Sequence, residues 1–393
     1  MAATARTQKY PLPPMVTYIS VAFLAIGLAT FGAGLGSDPK RIWPAYLTAF
    51  FFFATLSVGG LFFTAVLHVT KAGWGATVRR LTEAFASFLP VVGIGALILL
   101  AGSGHLYEWL HPEVVAADRL LQLKAPYLNK GFFYFRTVAF VGLWILFGWK
   151  LTSNSLKQDN TGDEKLTHSS LAWSIAFMLV FALSYSLFSV DTLMSLSPHW
   201  FSTIFGVYCF AGLFQVTMAF GVLFISNLVR TGAMKEYINE NHLHDVAKLM
   251  FAFTVFYAYI GFSQFMLIWY ANMPEETSYF LQRSQGTWMA ISMSLLVFKF
   301  IVPFLALMPR WAKRSPAHAS AVAILLIVME YVDIYWMVYP NFFENHPVFS
   351  FWEIGMFLGF LGAFMIVVTR FLKKHSFIPL KDPRLHETAH HHI

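Results

Sequence analysis

The chain has 393 residues, of which 57% are hydrophobic and 12% charged, about half the charge of a soluble protein. Its net charge is +7, and its one cysteine, Cys209, excludes an internal disulfide and a cysteine-ligated iron–sulfur cluster. The apolar residues gather in blocks of about 20, the length that crosses a bilayer as helix, so this is a polytopic membrane protein and needs no nucleic-acid partner to explain its charge.

The Met1–Met15 leader is short and mildly basic, and the segment after it is long for a signal-peptide core, so it reads as a retained helix. Ten spans are predicted: Val16–Gly34, Tyr46–Val69, Leu81–Leu100, Phe132–Trp149, Leu171–Ser189, Ser202–Leu228, Ala247–Trp269, Gly286–Met308, Ala317–Tyr339 and Phe349–Phe371. The N-terminus and the loops after even-numbered spans hold, in or at their edges, 19 Lys and Arg residues; the loops after odd-numbered spans hold 6. The positive-inside rule then puts both termini in the cytoplasm. Val58-Gly59-Gly60-Leu61-Phe62 and Phe210-Ala211-Gly212-Leu213-Phe214 lie 152 residues apart in spans of the same direction. That spacing predicts an all-α fold of two parallel four-helix bundles, 46–189 and 202–339, with spans 1 and 10 peripheral and a cytoplasmic tail, 372–393.

The Val190–Gly212 stretch joins the two units. Ser197-Pro198 has the chemistry of a helix start, with serine as cap and proline at the first helical position, and places His199 and Trp200 at helix entry. The Asp191–Trp200 link contains no Lys or Arg. It and the Tyr339–Phe349 link are expected to be covered by periplasmic partners. The Ala101–Gly131 loop is amphipathic, the Gln158–Lys165 loop polar and mobile, and the basic tail ending in His390-His391-His392 reads as disordered rather than as a metal site.

Ionisable residues inside a membrane are costly, so each is a candidate for function. Lys299 lies near the middle of span 8. Glu330 and Asp333 share one face of span 9. Counted at about 1.5 Å per residue from the inner ends, they lie roughly 14, 20 and 24 Å deep, so Lys299 can neutralise Glu330 if the helices face one another. A structural ion pair and a proton relay are both open for them. Tyr257, Tyr259, Ser263 and Gln264 of span 7, and Gln215 of span 6, add hydrogen-bonding groups. Arg136, in the outer part of span 4, is expected to pair with lipid phosphate or a neighbouring subunit. Asp191 and Glu353 fall at outer helix ends, where solvation makes them less telling. A membrane haem needs paired ligands at matching depth. Only His68 lies well inside a span, and His199 and His318 lie at helix starts on opposite sides, so no haem site is expected.

Four blocks carry a resemblance: Asp191-Thr192-Leu193-Met194-Ser195-Leu196-Ser197-Pro198-His199-Trp200-Phe201-Ser202; Phe262-Ser263-Gln264 with Ile268-Trp269-Tyr270-Ala271-Asn272-Met273-Pro274-Glu275-Glu276-Thr277; Pro303-Phe304 leading to Arg310-Trp311-Ala312-Lys313-Arg314; and Asp333-Ile334-Tyr335-Trp336 leading to Pro340. Together they resemble the F subunit of bacterial alternative complex III, a relative of the NrfD and polysulfide-reductase membrane subunits. Thr192 stands where that pattern has Trp, and Ala271 where it has Gly. The resemblance implies two four-helix bundles in a quinol:electron-acceptor oxidoreductase. It implies a subunit with no redox cofactor of its own, which shapes a quinone-pocket-like bundle or a proton path through Lys299, Glu330, Asp333, Tyr257, Tyr259, Ser263 and Gln264, with Asp191 and Arg136 as outer candidates. Iron–sulfur clusters and haem c would belong to partners, and quinone or quinol could bind this chain or only its partner; the partners are a paralogous quinol-binding membrane subunit, periplasmic iron–sulfur and multi-haem cytochrome c subunits, lipid, and a terminal oxidase as acceptor. A membrane anchor of a polysulfide or molybdenum reductase and a secondary transporter are the competing readings.

The charge asymmetry makes a topology prediction. A reporter active only in the periplasm should be silent when fused at Lys157 and active at Pro198; the reverse pattern would invert the orientation.

Overall fold

A computed structural model describes residues 9–344 and 346–391. Among the described residues there is no strand, and ten helices are long and apolar enough to cross a membrane. They are α1 (Pro14–Ser37), α2 (Pro39–Val69), α3 (Gly73–His105), α4 (Lys130–Thr161), α5 (Lys165–Leu196), α6 (Phe205–Thr231), α7 (Glu240–Ala271), α8 (Trp288–Leu307), α9 (Pro316–Asn341) and α10 (Phe351–Lys374). This is an all-α multi-pass membrane protein. Several helices outrun their apolar cores, because a polar end continues the hydrogen-bond ladder after it leaves the bilayer. Residues Gln158–Thr161 therefore complete α4, and a left-handed Gly162 makes the turn.

The helices close into two rings. In the first, α2 packs on α3, α3 on α4, α4 on α5 and α5 back on α2; in the second, α6 packs on α7, α7 on α8, α8 on α9 and α9 back on α6. The rings meet through α2 with α6, and through α2 with α9 and α5 with α6. Exchanging the rings exchanges the last two contacts, so the halves are related by an approximate two-fold axis along the helices. α2 and α6 form the centre. The most apolar window of α2 is 94% buried, against 17% for α1. In so dry a setting Thr48, Ser57 and Thr64 return their hydroxyls to the carbonyls of Pro44, Phe53 and Gly60, four residues back. Pro44 lies inside α2, and Pro90 follows a break in α3 at Ser87–Phe88.

α1 and α10 pair outside the rings, with α10 against α2. Gly27 meets Gly359 so closely that a Cβ on Gly359 would lie 2.6 Å from the Gly27 Cα, which is how two helices approach tightly without an aqueous driving force. Lys373 at the end of α10 donates to Thr17 near the start of α1, so both chain ends lie on one face, called here the terminal face.

Two loop expectations are corrected. The tail is ordered through His391 and folds back over the terminal face; His392 lies outside the described residues. Thr388 donates to the Gly73 carbonyl, Asp382 pairs with Arg79, and His391 contacts Asp245. Ser197 and Pro198 do not open a helix. α5 runs through Thr192 into a 3-10 turn at Met194–Leu196, and the Ser197 hydroxyl is spent on Asn341 at the end of α9. The link is partly covered by this same chain, since Tyr107 donates to the Thr192 carbonyl and Trp109 to that of Ser195.

Burial pushes the Asp382 carboxyl up, but the Arg79 guanidinium and the Arg384 N–H outweigh it and hold it below the ordinary value of 3.8. A depressed carboxylate adds stability above its unfolded value and loses it as pH falls through the folded one. Tail docking should therefore be full at neutral pH and weaken below about pH 3.8. Asp382→Asn should release the tail already at pH 7. Limited proteolysis of the tail checks both; equal protection in the variant would contradict the assignment.

Candidate functional site: a buried lysine between two carboxylates

The second ring encloses a charge. Lys299 on α8 is fully buried, and its Nζ lies 2.6 Å from Glu330 Oε2 and 2.6 Å from Asp333 Oδ2, both on α9. Glu330 and Asp333 are 3% and 2% exposed. The contact to Asp333 is a directed hydrogen bond. That to Glu330 is an ion pair by distance only, and Oε2 has no well-angled donor. Glu330 fits because α6 presents Gly212 opposite it; a Cβ there would sit 2.5 Å from Oε1.

The backbone of α8 is unusual at this point. Pro303 has no N–H to give the carbonyl four residues back, which is that of Lys299. Residues Leu295–Ile301 widen into a π-helix, in which the Val302 N–H reaches the Val297 carbonyl. Such a stretch recurs at functional positions, because it turns a side chain out of the ordinary helical sequence of faces.

Two tyrosines extend the cluster. Tyr208 on α6 donates to Asp333 Oδ1 at 2.6 Å, and its oxygen lies 2.8 Å from that of Tyr257 on α7. Tyr208 has one proton and gives it to Asp333, so Tyr257 is the donor between the tyrosines. Lys299 Nζ also stands 3.8 Å from the Tyr257 ring centroid, a cation–π contact. The order is Tyr257, Tyr208, Asp333, Lys299, Glu330. Toward the terminal face, Gln215 donates to Thr254 while its own Oε1 is buried without a partner.

The sequence candidates divide. Lys299, Glu330, Asp333 and Tyr257 come together. Tyr259 does not: it is 63% exposed and points away from the ring. Gln264 is buried with Oε1 unpaired, and Ser263 beside it is half-buried. Arg136 is turned into the chain rather than outward and is buried. Its Nε and Nη2 grip Asp191 at 2.8 and 2.9 Å, and its guanidinium lies 3.9 Å from the Tyr127 ring centroid. Asp191 and Glu353 are not solvated helix ends either. Both are buried, Asp191 against Arg136 and Glu353 against Arg41 and Tyr339. Sequence reasoning missed Tyr208, although Tyr208, Gly212 and Gln215 recur at helical spacing on one face of α6. It also missed Arg283, which is buried, stacked at 3.5 Å over Tyr279, and bonded to the carbonyls of Trp336 and Met337 just beyond Asp333.

Arg136 on α4 with Asp191 on α5, and Lys299 on α8 with Asp333 on α9, are pairs on corresponding helices of the two rings. The first is one cation to one carboxylate. The second adds Glu330, so the fully ionised group carries an excess negative charge. Among the described residues no group of three or more His, Cys, Asp or Glu side chains is arranged to hold a metal ion. No model of a known protein family matches the chain, and no curated protein matches it.

Removing the lysine alone leaves two buried carboxylates facing each other. Lys299→Met should destabilise the chain by about 3–5 kcal/mol. Lys299→Met/Glu330→Gln/Asp333→Asn, which removes all three charges, should recover most of that loss. Thermal melting in detergent checks the order; a Lys299→Met chain melting with the wild type would show that the cluster is not closed to water.

Proposed function

We propose that this chain is the F-type membrane subunit of a quinol:electron-acceptor oxidoreductase of the alternative complex III class. In this reading it carries no redox cofactor, lies in the bacterial inner membrane with the terminal face cytoplasmic, and moves protons through the second ring. The observation that carries the proton reading is the buried group of one lysine and two carboxylates. Fully ionised, it has one charge too many for a dry interior; with one added proton it is neutral. A buried group that alternates between these states by gaining and losing a single proton is what a relay requires, and the two tyrosines give that proton hydroxyl neighbours. The assignment to the complex is supported by the four sequence blocks, of which the Asp333–Trp336 block contributes directly to the cluster. The two rings exchange by an axis along the helices, unlike the inverted repeats common in secondary transporters.

The class is tested by purification: multi-haem and iron–sulfur polypeptides should travel with this chain in one detergent particle. The relay is tested in proteoliposomes of that particle by measuring quinol oxidation and proton release together. Asp333→Asn should assemble and lower the protons released per electron, or slow turnover at least tenfold. Wild-type values for both in an assembled Asp333→Asn particle would remove the proton path.

A further inference from the structure

A groove of about 500 Å³ opens on the outside of the first ring, between α3 and α4. Two local features shape it. α3 breaks at Ser87–Phe88 ahead of Pro90, and α4 presents Gly148 to Leu89 so closely that a Cβ there would lie 2.8 Å from Leu89 Cδ1, which makes the two helices the floor of the groove. Along α4 the lining residues recur at three- and four-residue steps, from Ile145 through Gly148 to Lys157 and Asn160, so they form one stripe about 22 Å long at 1.5 Å per residue.

The stripe changes character along its length. Around Leu89, Pro90 and Ile145 it is apolar. Past Trp149, a residue type that favours the membrane–water boundary, it acquires Thr152, Ser153, Lys157 and Asn160. Lys157 is exposed, and no carboxylate among the described residues pairs with it. The groove thus crosses the apolar–polar boundary lengthwise, with its unpaired cation at the polar end.

We propose that this groove binds one phospholipid with an anionic headgroup, its acyl chain along Leu89, Ile145 and Gly148 and its phosphate at Lys157. The chemistry distinguishes this occupant from an uncharged isoprenoid. A neutral ring would draw nothing from Lys157, whereas basic pockets between helices on the cytoplasmic side recognise charged lipid heads. The site lies outside both rings; it rests on the proposed orientation of the chain and not on the proton reading.

The test is native mass spectrometry of the full chain, released from detergent micelles doped with either phosphatidylglycerol or phosphatidylcholine. The wild type should retain one lipid, with the anionic one favoured about fivefold or more. Lys157→Ala should keep a bound lipid but lose that preference. Gly148→Leu, which fills the apolar half, should lose the lipid; Ser153→Trp plugs the polar half and serves if the first variant does not fold. Inorganic phosphate at millimolar concentration should not displace the lipid; displacement would mean that a free anion site is all there is. An unchanged preference in Lys157→Ala, retention in both plugged variants, or a neutral isoprenoid as the molecule lost from them would overturn the proposal.

Discussion

A lysine ammonium buried in the middle of a helical ring has to be neutralised by the groups around it, because a charge taken out of water is costly. That requirement organises the second ring around Lys299. It calls for Glu330 and Asp333 on the facing helix, one turn apart, so that a single Nζ reaches both. It calls for a glycine at 212, because any larger side chain would displace the Glu330 carboxylate. It calls for Tyr208, because one of the Asp333 oxygens would otherwise lack a donor. Each of these is a separate element brought to one point, so the charge also fixes how α6, α8 and α9 sit against one another. Such a cluster is a weak source of stability, yet it tolerates only a narrow set of packings.

The first ring solves the same problem differently. Arg136 and Asp191 meet fork to fork, one charge against one, and aromatic rings from Tyr127 and Phe132 close over the guanidinium. A bidentate pair of this kind balances one charge with one and uses both carboxylate oxygens. The rings share a plan in which the third helix brings a cation and the fourth a carboxylate. They differ in whether the charges balance. In the proposed reading the unbalanced second ring carries the proton chemistry, while the first ring acts as a brace.

The ten spans were legible because length and apolarity decide them almost alone. Lys299 and Glu330 were legible as a pair because depth can be counted from the helix ends. Asp333 followed from its spacing to Glu330, but its role as the better-directed partner of Lys299 depends on rotation about α9, which no count supplies. Tyr208 was hidden by number: in a chain with 42 Phe and 16 Tyr, an aromatic residue on an apolar face reads as packing. Arg136 and Asp191 were misjudged for a different reason. The apolar block of α5 stops near Ser189 while the helix itself continues through Thr192, so Asp191 is inside a structure that hydropathy had already ended. Ser197-Pro198 shows the converse, a sound local cap signal overridden when the serine found Asn341.

The π-helical stretch in α8 has a consequence for how this cluster can be inherited. A π turn is an α-helix carrying one extra residue, and Leu295–Ile301 holds that residue beside Lys299. Losing any single residue from the stretch would restore the ordinary ladder and swing everything on one side of the deletion by about 100° relative to the other. Lys299 and the Pro303 end of the helix would no longer address the same neighbours, even with every charged residue still present. The cluster is therefore specified by chain length as well as by identity. Across related chains, a gap in this seven-residue window would be as informative as a substitution of the lysine itself.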